Sequence, residues 1–260
     1  MASSTYPARR SPCKAVATMR DGDVLVQVAA ADIGTGARTA LRRIAAGTLG
    51  LDPERVHVEL GDSDLPEAPV AGGSMGTASW GTAVVRACEE LRRDGKEGRA
   101  DTTDEVKADA ELARHAFGAQ FAEVRVSAVT GEVRVSRLLG VFAAGHIVDA
   151  KLARSQFLGG MTMGMGMALM EETLTDEEFG GFLHRDLAQY HVPACADAQH
   201  VEAVWLDEQD GELNPMGSKG IGEIGIVGTA AAIGNAVFHA TGHRFRDLPL
   251  TPPKILAARF

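Results

Sequence analysis

The chain has 260 residues and a formal charge of −9, from 26 lysines and arginines against 35 aspartates and glutamates. That acidic excess argues against a nucleic-acid surface, which needs a basic stripe to neutralise phosphates. Hydrophobic residues at 45% and charged residues at 23% are ordinary usage for a packed protein of one or two domains. Glycine is the outlier, with 30 residues gathered in short runs, and such clusters mark backbone that approaches something closely or takes positive φ. The three cysteines, Cys13, Cys88 and Cys195, are scattered without zinc-site or disulfide spacing. This fits a reduced, cytoplasmic setting, a periplasmic one being reached only by co-export with a partner.

In chain order, residues 1–14 read as a disordered leader, with no apolar region of a secretory signal between Met1 and Arg10. Val24–Ala30 reads as a buried strand and Thr39–Leu49 as a helix stopped by Gly50. Asp52-Pro53-Glu54 turns the chain into Val56–Leu60, whose alternation suggests a strand with one buried face. A loop rich in Gly, Pro and Ser precedes a helix over Thr77–Arg93, and the charged stretch Asp94–Ala110 reads as a solvated loop or partly helical connector. Phe121–Ser127 and Glu132–Phe142 predict a hairpin around Val129-Thr130-Gly131-Glu132. A long helix follows over Asp149–Glu172, then a strand over Val201–Leu206, a helix over Ile226–Ala240 ended by Gly242, and an extended tail marked by Pro249, Pro252 and Pro253. Phe157–Met170 is apolar, but it is broken by four glycines and falls short of the ~20 residues that span a bilayer. Strand pairs followed by helices, twice over, imply an α+β fold of two similar layers. The division is the leader, a first subdomain over 15–115 and a second over 116–260.

Four glycine segments carry the chemistry. Asp32-Ile33-Gly34-Thr35-Gly36 is a strand end running into a helix, where free amides and the helix dipole favour an anion, unless it is a plain turn. Gly72-Gly73-Ser74-Met75-Gly76-Thr77 again sits before a helix and adds hydroxyls suited to phosphate or pterin, or serves as a flexible loop with an N-cap. Gln156–Ala168 places four glycines on a helix at a cost of ~1 kcal/mol each, which calls for close packing against a neighbouring helix or a ligand. Gly217-Ser218-Lys219-Gly220-Ile221-Gly222-Glu223 is the sharpest: it sets a carboxylate in a glycine-walled place at a helix mouth. There burial raises and the helix N-terminus lowers its proton affinity, a balance suited to a general base or, in the plainer reading, to a capping glutamate.

Together and in this order these segments resemble the large, molybdopterin-binding subunit of the molybdenum hydroxylases, the xanthine dehydrogenase and aldehyde oxidase family. The resemblance runs from about Val24 to Lys254. It also rests on Gly61-Asp62-Ser63, Ala153-Arg154-Ser155-Gln156, Asp186-Leu187-Ala188-Gln189-Tyr190 and Asp247-Leu248-Pro249, and it comes nearest the bacterial aldehyde-oxidising branch. It implies a molybdenum held by the dithiolene of a molybdopterin, in bacteria usually the cytosine dinucleotide form, with no protein side chain on the metal. Glu223 matches the family's catalytic glutamate, the base in hydroxylation of an aldehyde or N-heterocycle with water as oxygen source. By the same matching Gly34, Thr35, Gly36, Ser74, Gly76, Thr77, Gln156, Phe157, Leu158, Gly159, Gly160, Met161, Thr162, Gly166, Lys219, Gly220, Ile221 and Gly222 would contact the cofactor.

The family's large subunit is far longer, so the resemblance implies a truncated or split subunit, the N-terminal half coming from a separate polypeptide. Electrons would leave through an iron-sulfur subunit and an FAD subunit. The alternative is a non-catalytic cofactor-binding or assembly module, against which the retained Glu223 speaks. His184-Arg185-Asp186-Leu187 has none of the companion motifs of a kinase loop. His239 and His243 have ligand spacing, but Gly242 should end the helix between them, with no third ligand near.

Overall fold

The computed structural model describes residues 1–109 and 112–258. Two four-stranded sheets organise them. In the first, β2 (Lys14–Arg20) and β3 (Asp23–Gln27) form an antiparallel hairpin, and α1 (Ala37–Leu49) carries the chain to β4 (Val56–Glu59), parallel to β3. Then α2 (Gly76–Asp94) returns and β5 (Glu97–Asp101) pairs with β2, giving the order β4-β3-β2-β5. The scheme recurs in the second sheet. There β6 (His115–Val126) and β7 (Val133–Ala143) form the hairpin, α4 (Ala150–Leu169) precedes β8 (Val201–Trp205), which lies parallel to β7, and the short α5 (Ile224–Val227) leads into α6 (Thr229–Thr241). The fourth strand is β1 (Ala2–Pro7), antiparallel to β6, for the order β1-β6-β7-β8. This is an α+β fold of two similar layers.

Apolar spacing explains the helices on each sheet. On α1 the buried residues are Ala37, Ala40, Leu41, Ile44, Ala45 and Ala46, a single stripe. The helix stops because Gly50 takes the left-handed conformation, φ 68°, and its N–H donates to the Ala46 carbonyl. Val24, Val26, Val56, Trp80, Val84 and Leu91 complete this core, together with Cys13 and Cys88. Burial pushes both thiols up to about 12, which makes them inert packing rather than nucleophiles. In the second core Phe142 stacks on Phe157 with centroids 4.2 Å apart, over Met161, Met165, Ile233 and Val237. Two glycines of α4 belong to this packing: a Cβ on Gly160 would stand 3.1 Å from Gly225 Cα, and one on Gly164 2.6 Å from Thr229 Cβ.

Several sequence expectations change. Residues 1–14 are no disordered leader, because β1 completes the second sheet and Ala8 N–H donates to the Arg114 carbonyl. The stretch 94–110 holds β5 and α3 (Thr103–Lys107), apart from Ala110, which lies outside the described residues. Its charged sequence hides an edge strand, made possible by Gly98, where a Cβ would run into the α2 backbone at Ala87 and Leu91. The tail ends in α7 (Pro252–Ala257), pinned by buried Ile255, rather than extended. The window Ile224–Thr241 has a mean hydropathy of 1.4 over 18 residues. It is interrupted at Gly228, and one face, with Ala230, Ile233 and Val237, is buried in the second core.

The segment before β2 is tied down by charge. Arg10 Nε donates to Asp109 Oδ2 at 2.9 Å and Arg10 Nη1 to Glu105 Oε1 at 2.7 Å, while Arg86 Nε reaches Glu105 Oε2 at 3.0 Å. Hydrogen bonding to Arg86 first, then Arg10, holds Glu105 below the usual carboxylate range, and Arg10 does the same for Asp109. Folded values below unfolded ones mean that this stabilisation is complete above the ordinary carboxylate range and is lost as pH falls through the folded values. Urea midpoints measured across the acid range should therefore decline below about pH 4, and Arg10→Ala should reduce that decline. Gly98→Ala, which forces β5 away from α2, should lower stability by about 2–3 kcal/mol in the same assay.

Candidate active site

A cavity of about 420 Å³ lies between the two layers, within the usual size of small-molecule sites. Loops and helix starts wall it: Thr35 before α1, residues 71–77 entering α2, His146–Asp149 between β7 and α4, Leu152, Ala153 and Gln156 on α4, and Ser218–Glu223 before α5. Trp80 closes one side, its ring occupying the space where a Cβ on Gly76 would lie and its Nε1–H donating to the Pro69 carbonyl at 3.1 Å.

Two loops meet at the centre. Gly220 has no Cβ because the Ser74 carbonyl occupies that space. Gly73 and Ser74 both sit in the left-handed region, with φ 61° and 54°, a conformation that costs a serine on the order of 1 kcal/mol. The Ser74 hydroxyl donates to Glu223 Oε2 at 2.7 Å, the length of a charge-assisted bond. Glu223 is half-buried at the N-terminal boundary of α5 and does not cap that helix with its side chain. Tyr6, on β1, faces the same carboxylate: hydrogen bonding toward Glu223, then burial, raises the phenol above its ordinary value.

The loop carrying Glu223 is braced from behind. The Lys219 side chain is 9% exposed, and its Nζ reaches Glu208 Oε1 and Asp210 Oδ2, each at 3.2 Å. Glu208 Oε1 also accepts from Gly145 N–H at 2.7 Å, and Lys219 N–H donates to the Ala144 carbonyl at 3.0 Å. Buried Asn214 holds the turn by donating to the Ser218 carbonyl at 2.7 Å. The Lys219 cation is thus neutralised within the fold, and its backbone forms the wall.

The residues singled out from sequence divide into two sets. Thr35, Ser74, Gly76, Thr77, Gln156, Lys219, Gly220, Ile221, Gly222 and Glu223 converge on the cavity. Gly34 and Gly36 do not: their N–H groups donate to Asp32 Oδ1 at 3.1 Å each, Arg38 N–H donates to Asp32 Oδ2 at 3.3 Å, and Leu152 fills the space beside Gly36. The chain's own aspartate is the anion at α1, where it forms an Asx-turn. On α4, the Phe157 and Met161 side chains are in the core and Leu158 packs against it. Gly159 lies on an exposed face, Gly160 abuts Gly225, the Thr162 hydroxyl donates to the Leu158 carbonyl, and Gly166 sits beside Glu171 and Pro193. One helix face serves one neighbour, and only Leu152, Ala153 and Gln156 on α4 turn toward the cavity.

Tyr6, Trp80, His146 and Asp149 were missed. Asp149 accepts from Leu152 N–H at 2.9 Å as the N-cap of α4 and pairs with Arg43 Nε on α1 at 2.8 Å. Its position just before an apolar helical run was the available signal; Tyr6 and Trp80 gave none.

The model of the molybdopterin cofactor-binding domain matches residues 2–115 and 99–199. The chain belongs to this family. The aldehyde oxidoreductase molybdenum-binding subunit PaoC of Escherichia coli K12 is 41% identical over 271 residues, covering 91% of this chain and 37% of that protein. The probable hypoxanthine oxidase XdhD of the same organism is 32% identical, covering 92% of this chain and 29% of its own length. The chain therefore spans about a third of the length of the curated relatives it matches. Among solved structures, the aldehyde oxidoreductase from Desulfovibrio desulfuricans ATCC 27774 superposes with a TM-score of 0.85 at 25% identity, over 99% of this chain and 32% of that one. The reconstituted CO dehydrogenase from Oligotropha carboxidovorans gives 0.87 at 17% identity, over 99% and 40%, a likeness of fold.

The cavity suits such a group. Its glycine backbone at 72–73 and 220–222 leaves room for a flat ligand, and Ser74, Thr77, Gln156 and Ser218 offer polar side chains. The α2 N-terminus opens onto it at Gly76 and Thr77 without a side-chain cap, a place for an anionic group. Glu223→Gln should remove the acceptor charge beside Tyr6. Alkaline absorbance titration of the two tyrosines should then show one of them ionising at lower pH than in the unsubstituted chain.

Proposed function

We propose that this chain forms the base-bearing part of the active site of a molybdopterin-dependent oxidoreductase that hydroxylates an aldehyde or an N-heterocycle with water as the oxygen source. The observation that carries the reading is Glu223: a half-buried carboxylate on the wall of a glycine-lined cavity, hydrogen-bonded at one oxygen by Ser74. The cofactor, in its cytosine dinucleotide form, would be held by Thr35, Ser74, Gly76, Thr77, Gln156 and the backbone of Lys219–Gly222. When bound, it supplies a two-electron redox centre and a Lewis-acidic metal.

The protein's own part is to orient, to move a proton and to exclude water. With Oε2 engaged by Ser74, Oε1 of Glu223 accepts the proton lost as water oxygen is transferred to substrate carbon. Trp80, Ile147, Val148 and Leu152 form the apolar side of the cavity, which strengthens the electrostatic interactions inside it. Three scattered cysteines, two of them buried in a core, do not make the four-thiolate set of an iron-sulfur cluster. Electrons would pass to an iron-sulfur subunit and an FAD subunit, and a further polypeptide segment, such as the longer relatives possess, would complete the cavity wall. Free cysteines favour a cytoplasmic location.

The test is metal and cytidine-nucleotide analysis of the chain made in a host that matures this cofactor, with and without the additional large-subunit segment. Molybdenum and cytidine monophosphate are expected in equal amounts, and their absence from both preparations would overturn the proposal. Glu223→Gln should keep the metal and lose aldehyde-dependent dye reduction by about 10²–10⁴-fold. Undiminished turnover would remove Glu223 from its role.

A further inference from the structure

We infer that Ser74 is a positioning residue for Glu223, its hydroxyl fixing the direction of the carboxylate while the carboxylate stays free to exchange a proton. The inference rests on the reading of Glu223 as the base. Three observations carry it. The hydroxyl donates to Oε2 at 2.7 Å, and a serine hydroxyl has only one proton to give, so this bond leaves Oε1 unengaged by Ser74. The residue making it is a serine at φ 54° directly after a glycine at φ 61°. A second glycine would relieve the backbone there, so the side chain is retained at a conformational cost. Finally, the Ser74 carbonyl is seated against Gly220, three residues before Glu223. One residue therefore holds both the backbone that presents the base and the oxygen that does not react.

The direction matters because Glu223 does not cap α5 with its side chain. Without Ser74, Tyr6 is left as the hydroxyl facing the carboxylate. It comes from β1, on the opposite layer from the Ser74 loop, and would draw the carboxylate toward the second sheet. General-base catalysis requires the acceptor within hydrogen-bond reach of the proton it takes, and a displacement of about 1 Å costs up to 10²-fold in rate.

The experiment separates positioning from support of the fold. The 260-residue chain, labelled with ¹³C at glutamate side-chain carboxyls, gives one resonance that disappears in Glu223→Gln. Ser74→Ala and Ser74→Gly should both shift that resonance, whereas Thr48→Ala, far from the cavity, should leave it in place. The two Ser74 variants differ in backbone strain, so Ser74→Gly should have the higher urea midpoint. In cofactor-loaded enzyme both should nevertheless lose about tenfold in kcat with KM changed by less than twofold. A resonance unmoved in both variants overturns the inference whatever the activity, and so does kcat loss confined to the less stable variant. Undiminished turnover of Glu223→Gln instead removes the base itself, and the inference with it.

Discussion

The seating of Gly220 on the Ser74 carbonyl is the contact on which the rest of the site depends. The cavity is walled by loops and helix starts rather than by the sheets, and those loops come from opposite layers of the molecule. Backbone against backbone, with no side chain between, is the closest approach that two chain segments can make, and only glycine permits it. Around that point the supports are electrostatic. Arg43 on α1 pairs with Asp149 at the start of α4, joining the layers on one side, and Glu208 binds both Lys219 and the Gly145 amide, fixing the Glu223 loop from the other.

The distribution of charge follows from which groups are already committed. Four helices start beside the cavity; Glu223 stands at the start of α5 without capping it, and the other three treat their first turns differently. Asp32 occupies the amides leading into α1, and Asp149 caps α4, whereas α2 begins with Gly76 and Thr77 and no side-chain cap. Lys219, the cation in the wall, is balanced by two carboxylates. What remains available to a ligand is therefore backbone amides, hydroxyls, the Gln156 amide and the His146 imidazole, a set suited to a flat polar group recognised by shape and hydrogen bonds.

Much of this was legible in the sequence, for definite reasons. The apolar stripe of α1 with Gly50 behind it, the alternation of β4 and the hairpin of β6 and β7 follow local periodicity, and the structure has them. The segments converging on the cavity were marked by their glycine runs and by the family resemblance together, because a glycine run before a helix taken alone is equally a plain turn. The failures were non-local. Strand β5 is an edge strand made by its partners, and β1 takes its structure from residues more than a hundred positions away. The α4 glycines called for close packing against a neighbouring helix or a ligand; Gly160 and Gly164 meet Gly225 and Thr229, and a single helix gives no sign of which of its small residues face which neighbour. Asp32 shows a different limit: an anion supplied by the chain itself satisfies the same amides that a ligand would.

The pairing of β1 with β6, Ala2 opposite Gln120, has a consequence for biogenesis. As the ribosome delivers the chain, the first strand emerges long before the sheet that receives it. The first layer, β2 through β5, is contiguous in sequence and has its core within reach as soon as it is synthesised. Strand β1 must wait for its place in this sheet until β6 appears. Tyr6, which rides on that strand beside Glu223, therefore reaches its place in a late, long-range closure of the kind that slows folding and leaves a strand edge exposed in the interval.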